Sequence, residues 1–130
     1  MTELTAGRIM KKAADCLEDG KGAYKLGLYE ACVNRAYYTM FHSVQALFFV
    51  SGIKTKTHAG AHYKFRELYL RTGFLDSTLN IRIQRTFEKR NFGDYDYDEV
   101  AEHEAQESIE DAVVFFESVL QYLKENNHLQ

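Results

Sequence analysis

The sequence contains no proline and no tryptophan, and it has only two cysteines. Loop-rich sandwiches and barrels usually use proline in some of their many turns, so a chain without proline favours a helical fold. Two cysteines are too few for a disulfide-stapled secreted domain, and no signal peptide is recognisable. We therefore expect a reducing, cytoplasmic environment.

Long uncharged runs and an excess of positive charge are also missing. The longest stretch without Asp, Glu, Lys or Arg covers residues 36–53, which would barely span a bilayer and includes polar side chains. We interpret this stretch as a helix that is buried on most sides. The formal net charge of −3 at pH 7 argues against a generally basic nucleic-acid-binding protein.

The sequence does have ample material for a core, since 45% of its 130 residues are hydrophobic and eighteen are Tyr or Phe (nine of each). This length predicts a single domain over residues 1–130. Apolar residues recur at steps of three and four, and no segment alternates like a strand. The predicted fold is all-α, an antiparallel bundle of four or five helices.

Several residues mark the ends of the predicted helices. The second helix should run over residues 29–51, with Gly52 as its C-terminal cap. Thr57 is placed like the N-cap of the third helix. Asp96 with Glu99 has the form of a capping box for the last helix, whose first turns are acid-rich.

A second, mixed face accompanies the apolar stripe of the second helix. At 100° per residue, its members fall within about a quarter of the circumference; they are Ala31, Arg35, Tyr38, His42, Gln45 and Phe49. Buried polar groups need partners, so this face should meet another helix, a second subunit or a ligand. A hydrogen-bond network around Arg35 is the structural alternative to a binding site. Tyr37 and Tyr63 are interpreted as packing residues.

Three segments in order carry a family resemblance: Asn34–His42, Thr57–Gly60 and Arg90–Tyr97. With them the chain resembles the HEPN superfamily (higher eukaryotes and prokaryotes nucleotide-binding domain), in particular its small stand-alone prokaryotic members. The resemblance extends over residues 4–123. It implies a helical bundle that usually forms a homodimer.

The last of these segments resembles a ribonuclease motif that many members carry, in which an Arg is followed after four to six residues by a His and then by a Tyr. Arg90 matches the Arg and Asn91 a common following polar residue. Tyr95 stands where the His would be, and Tyr97 matches the trailing Tyr. The motif histidine is therefore missing.

This replacement has a chemical consequence. The permanently charged guanidinium of Arg90 suits phosphate binding. A structural ion pair with Asp94, four residues further along, is the alternative if the helix continues that far. A tyrosine with a pKa near about 10 is a poor general base at neutral pH, where a histidine near about 6.5 would serve. His103 could substitute for it in space. Nine acidic residues between Asp94 and Asp111 would repel an RNA backbone, so we expect weak or absent ribonuclease activity.

The resemblance also implies a partner protein. Some HEPN proteins are toxins paired with a small nucleotidyltransferase antitoxin that attaches AMP to the trailing tyrosine of the motif. Tyr97 is the corresponding residue here, and its acidic neighbours predict an exposed position. An unmodified surface tyrosine is the alternative.

A pair of histidines and a run of basic residues are two further candidate binding sites. His58 and His62 have the spacing of a metal-binding pair, but no third ligand is evident, so no metal or other cofactor is predicted. The resemblance instead implies that His58 orients a neighbouring loop or approaches a nucleotide phosphate; the alternative is a surface imidazole beside a plain cap. Arg82, Arg85, Lys89 and Arg90 form the basic run, which could hold a phosphate or face the acids of the fifth helix.

Three functions remain open from the sequence. The first is a nucleotide- or RNA-associated binding module, a toxin-like partner of a nucleotidyltransferase, with candidate binding residues Arg35, Tyr38, His42, His58, Arg90 and Asn91. The second is a metal-independent endoribonuclease that uses Arg90 with Tyr95 or His103. The third is a purely structural dimerisation unit.

Overall fold

The computed structural model describes residues 3–91, 97 and 99–129. Within those residues the chain forms five helices and no strand. The helices are α1 (Ala6–Lys25), α2 (Tyr29–Ser51), α3 (His58–Phe65), α4 (Leu79–Asn91) and α5 (Glu102–Glu125). A π-helical segment, Arg66–Leu70, continues α3. The predicted all-α antiparallel bundle is confirmed.

The predicted bounds of α2 and the start of α3 are confirmed. Gly52 ends α2 in the left-handed conformation with φ of 70°, which glycine adopts without steric cost. The Thr57 side chain accepts a hydrogen bond from the Gly60 N–H at 2.9 Å and so caps α3. This cap fixes the position of His58, the first residue of α3.

The predicted start of α5 is wrong. Asp96 lies outside the described residues, and Glu99 precedes the helix, which begins only at Glu102. There the Glu104 carboxylate accepts a hydrogen bond from the Ala101 N–H at 3.1 Å. Since alanine has no side-chain acceptor, this is half of a capping box, moved along the chain by five residues from the predicted cap (96 to 101).

Helix α2 lies at the centre of the bundle and packs against α1, α4 and α5. It is buried on most of its circumference, as predicted. The largest fully buried side chains include Tyr37 and Phe48 from α2, Phe65 from α3 and Phe115 from α5. Burial of each such aromatic side chain contributes about 2–3 kcal/mol to stability. Among the described helices, none combines the length and the apolarity that a bilayer crossing requires.

Candidate functional site

The basic run on α4 divides between two sides of the helix. Arg82 and Arg85 both bond the fully buried carboxylate of Asp111 on α5, Arg82 through Nη1 at 2.8 Å and Arg85 through a fork at 2.6 and 2.7 Å. Lys89 Nζ donates to Glu107 Oε1 at 2.5 Å. The acids of α5 therefore neutralise these three cations. We call the three cations together with Glu107 and Asp111 the ion network.

Arg90, one residue further, lies on aromatic rings of α2 instead. Its guanidinium carbon is 5.5 Å from the ring centre of Tyr37 and 5.2 Å from that of Tyr38. The Arg35 guanidinium carbon is 5.3 Å from the same Tyr38 ring. Two guanidinium groups thus contact one half-buried tyrosine, whose ring attracts cations through its quadrupole.

Arg35 does not organise a hydrogen-bond network between helices. Its Nε and Nη2 donate to the side chain of the adjacent Asn34 at 3.0 and 2.6 Å. Within the described residues, its bond to another helix is a long one from Nη1 to the Cys16 sulfur at 3.8 Å. Among the described residues, its main contact across the mixed face is therefore the Tyr38 ring.

A chain of hydrogen bonds runs beneath Arg90, from α2 to α3 and α4. The Tyr37 hydroxyl lies 2.7 Å from Nδ1 of His58 and 2.9 Å from Nε2 of His62. The amide nitrogen of Gln84 lies 3.1 Å from Nδ1 of His62. The α-helical spacing of four residues brings both imidazoles to the same hydroxyl.

Burial keeps the members of this chain uncharged at neutral pH. It lowers the pKa of His62 to about 4, assisted by the nearby His58 and Arg66. It also lowers the pKa of His58, to which the positive charge of Arg90 adds. The pKa of Tyr37 is raised well above its ordinary value, again by burial, although Arg90 opposes the shift.

Two phenylalanines enclose the His58 ring. The Phe41 ring centre lies 4.6 Å from that of His58, and the Phe87 ring stacks on it at 5.8 Å. The imidazole is half-buried and fixed in orientation, so the interpretation as a surface imidazole is wrong. We call Tyr37, Tyr38, His58, His62 and Arg90 the aromatic cluster.

The HEPN domain model matches residues 6–126, nearly the whole chain, and includes every member of this cluster. The chain belongs to the HEPN family. A UPF0332 protein of Archaeoglobus fulgidus is 32% identical over 118 residues, which cover 90% of this chain and 94% of the relative. In Methanocaldococcus jannaschii, "Putative toxin MJ0142" is 30% identical over 124 residues (95% and 84%), and "Putative toxin MJ0605" is 30% identical over 117 (90% and 87%).

In this HEPN chain the sequence-predicted binding residues are only partly brought together. Arg35, Tyr38, His58 and Arg90 converge, whereas His42 turns towards α1. The His42 ring lies 6.0 Å from that of Tyr38 but also lines a cleft of about 460 Å³ beside Ile9 and Gln45. Burial, Lys12 and Arg35 lower the pKa of His42. Asn91 follows Arg90 as the half-buried last residue of α4.

Of the two remaining motif residues, Tyr95 is outside the described residues. The Tyr97 side chain is 89% exposed, and its φ of 60° places it in the left-handed region, which is uncommon for a non-glycine residue. His103 is exposed in the first turn of α5, where its charge acts on Glu107 of the ion network.

The metal-binding spacing of His58 and His62 has a different use in the structure, because both rings bond the Tyr37 hydroxyl. In the described part of the chain, no three His, Cys, Asp or Glu side chains approach one another closely enough to hold a metal ion. Sequence reasoning missed Tyr37 and Gln84. Tyr37 sits on the apolar stripe of α2, and only the position of the two histidines on a facing helix would have indicated its polar role.

Proposed function

We propose that this chain is a toxin-like HEPN module that binds a nucleotide at the aromatic cluster and works with a small nucleotidyltransferase. The observation that carries the proposal is the convergence of Arg90, His58 and Tyr38, which lie on three different helices. The toxin names of two relatives support the biological setting.

Arg90 and His58 suit the phosphate of the nucleotide. A guanidinium offers several N–H donors in a planar fork that matches phosphate oxygens, and it stays charged at every physiological pH. His58 is half-buried, and it lies beside Arg90 because both groups contact the Tyr38 ring. A cation and an imidazole at one edge of the cluster can share a single phosphate group.

Tyr38 suits the base. Its ring is half-buried, and stacking of a base on an aromatic ring is worth about 1–3 kcal/mol. Arg35 and Arg90 both lie against this ring and would continue the stack through their planar guanidinium groups. The phosphate and base positions are thus adjacent, as a mononucleotide requires.

Calorimetric titration with AMP tests the proposal. We expect Arg90→Ala to weaken AMP binding by tenfold or more, because a charge-assisted hydrogen bond to phosphate is lost. Arg71→Ala is the matched control, since Arg71 is exposed and pairs with Glu67 on its own helix. Tyr38→Ala should reduce the affinity for AMP to that for ribose 5-phosphate. Absence of AMP binding to the wild type, or equal loss in the Arg71 control, would contradict the proposal.

Tyr97 is the proposed acceptor of AMP from the nucleotidyltransferase. In that reaction its phenol oxygen attacks the α-phosphorus of ATP, pyrophosphate leaves, and the phenol proton passes to a base of the transferase. The almost complete exposure of the Tyr97 side chain supports access by a partner enzyme. Tyr97 also follows Arg90 by seven residues in the sequence.

Co-expression with a small nucleotidyltransferase, followed by intact-mass measurement, tests the acceptor. We expect one AMP group on the wild type and none on Tyr97→Phe. Tyr63→Phe is the control, because Tyr63 on α3 is exposed and its interpretation as a packing residue is wrong. An unchanged mass for the wild type would refute this part of the proposal.

We further propose that the module is a homodimer. The mixed face of α2 supports this, because Phe49 and Ala31 remain exposed on it beside polar side chains. Light scattering coupled to gel filtration should give twice the chain mass of 15.1 kDa. Phe49→Glu should shift the mass to that of a monomer, whereas Phe74→Glu, at a more exposed apolar position elsewhere, should not. A monomeric wild type would overturn the assignment.

A further inference from the structure

The hydrogen-bond chain in the aromatic cluster has a direction that can be deduced from its donors. An amide nitrogen can only donate, so Gln84 Nε2 donates to Nδ1 of His62. A neutral imidazole carries one proton, and Nδ1 of His62 is occupied as an acceptor. The proton of His62 therefore lies on Nε2, where it faces the Tyr37 hydroxyl.

The direction continues through Tyr37. Its oxygen accepts the proton of His62, so its own single hydroxyl proton is directed at Nδ1 of His58, 2.7 Å away. The Nδ1 atom of His58 is consequently an acceptor. By the same count of protons, neutral His58 carries its proton on Nε2.

We propose that Gln84 sets the tautomer of His58 through His62 and Tyr37, so that the imidazole presents an Nε2–H donor beside the Arg90 guanidinium. Gln84 is a positioning residue, since it lies on α4 and reaches His58 through His62 and Tyr37. If its amide were reversed, each bond in the chain would reverse and Nε2 of His58 would present a lone pair.

Two features allow the hydrogen-bond chain to transmit the orientation of the Gln84 amide to His58. All three links are of ordinary hydrogen-bond length, and Tyr37 and His62 are buried, so water does not compete for them. The rings of Phe41 and Phe87 hold His58 in place. The low pKa of His62 keeps it neutral at physiological pH, which the one-proton argument requires.

The tautomer decides what His58 does at the site, and this consequence rests on the proposed nucleotide function. An N–H donor beside a guanidinium binds an anionic phosphate oxygen. It cannot accept the proton of a ribose 2′-hydroxyl, because its Nε2 has no free lone pair in this form. The aromatic cluster is therefore built to bind a phosphate and not to activate a nucleophile.

Nuclear magnetic resonance of the full chain with ¹⁵N-labelled histidine tests the direction. At pH 7.5 we expect a coupling across the hydrogen bond between the Tyr37 hydroxyl proton and Nδ1 of His58, with His58 and His62 both protonated at Nε2. A coupling from that hydroxyl to Nε2 of His62 would mean the opposite direction and would overturn the proposal. This measurement needs no variant.

The Gln84→Glu variant tests whether Gln84 sets the tautomer of His58. A carboxylate can only accept, so His62 should turn to its Nδ1–H form, Tyr37 should donate to His62, and His58 should carry its proton on Nδ1. Gln106→Glu introduces the same charge at an exposed position of α5 and should leave both tautomers unchanged. An unchanged His58 tautomer in a folded Gln84→Glu protein would overturn the proposal.

AMP titrations of the same samples separate this inference from the function on which it rests. We expect Gln84→Glu to bind AMP about tenfold more weakly than wild type, because a donor to the phosphate becomes an acceptor. If the tautomers switch but neither protein binds AMP, the positioning role of Gln84 stands and the nucleotide function fails. If AMP binds equally to both while the tautomer does not move, the positioning role fails and the function stands.

Discussion

Arg85 and Arg90 lie five residues apart on α4, yet they have different surroundings. Arg85 grips the fully buried carboxylate of Asp111, whereas Arg90 lies over the rings of Tyr37 and Tyr38. A carboxylate partner neutralises a cation and ties two helices together. An aromatic ring attracts the cation through its quadrupole and carries no formal charge of its own. The ion network is thus suited to stability and the aromatic cluster to binding.

Removing the Asp111 carboxylate from the ion network should have the largest effect on the stability of the fold. Asp111→Asn leaves the guanidinium groups of Arg82 and Arg85 without their shared counter-charge, and we expect the free energy of unfolding to fall by about 3 kcal/mol. Urea unfolding followed by circular dichroism measures this. The control is Glu110→Gln, an exposed neighbour on α5. Equal stability of the two variants would show that the network does not hold α4 to α5.

Acid should weaken the aromatic cluster before it weakens the ion network. Folded His62 has a pKa of about 4 against 6.5 in the unfolded chain, so protons bind the unfolded state preferentially between these values. The stabilisation is complete above pH 6.5 and is lost as the pH falls towards 4. Glu107, whose pKa is lowered mainly by its hydrogen bond from Lys89, keeps its charge in this interval.

Urea unfolding at pH 7 and pH 5 measures this difference. We expect about 2 kcal/mol lower stability at pH 5 for the wild type. The His62→Gln variant should lose most of this pH dependence, and the depressed pKa values of His42 and His58 account for a further part in the same direction. A wild type equally stable at both pH values would be inconsistent with a neutral, buried His62.

Lysine substitutions should separate the two arginines. Arg85→Lys keeps the charge but loses the two-bond fork to Asp111, so we expect a loss of about 1–2 kcal/mol in unfolding free energy with unchanged AMP affinity. Arg90→Lys should change stability by less than about 1 kcal/mol but weaken AMP binding several-fold. The reverse pattern would mean that the roles of the two residues have been exchanged.

The smallest expected difference is in metal-independent RNA cleavage by the wild type and by Arg90→Ala. We expect the wild type and Arg90→Ala to show equally low or undetectable cleavage of a labelled RNA in the presence of EDTA. The physical reason is that Tyr95 replaces the motif histidine and that the neutral His58 presents a donor. Cleavage by the wild type that disappears in Arg90→Ala would favour the endoribonuclease hypothesis instead.

Much of the fold could be predicted because its signals are local. The 3.6-residue apolar period of α2, the glycine after it and the threonine before α3 each act within one or two helical turns. The start of α5 was missed because Asp96 and Glu99 offered a capping pattern, while the helix begins where Glu104 can bond the Ala101 N–H. Several acids in this region could serve equally well, so local pattern alone did not distinguish them.

The candidate site was predicted less completely, because its contacts are between helices. The resemblance pointed to Arg90 and His58, and the mixed face to Arg35 and Tyr38. Tyr37 was taken for a packing residue because it lies on an apolar stripe, although its hydroxyl bonds two histidines. Whether a buried hydroxyl has partners depends on the facing helix, about which its own helix carries no information.

By itself, the sequence determined that this chain is a helical bundle and a member of the HEPN family, since periodicity, caps and motif order are properties of the chain. It also determined that the motif histidine is a tyrosine. Only the tertiary structure decided which partners each cation of α4 meets. Four residues of one basic run differ because rotation about the helix axis turns Arg82, Arg85 and Lys89 towards the carboxylates of α5, and Arg90 towards the rings of α2.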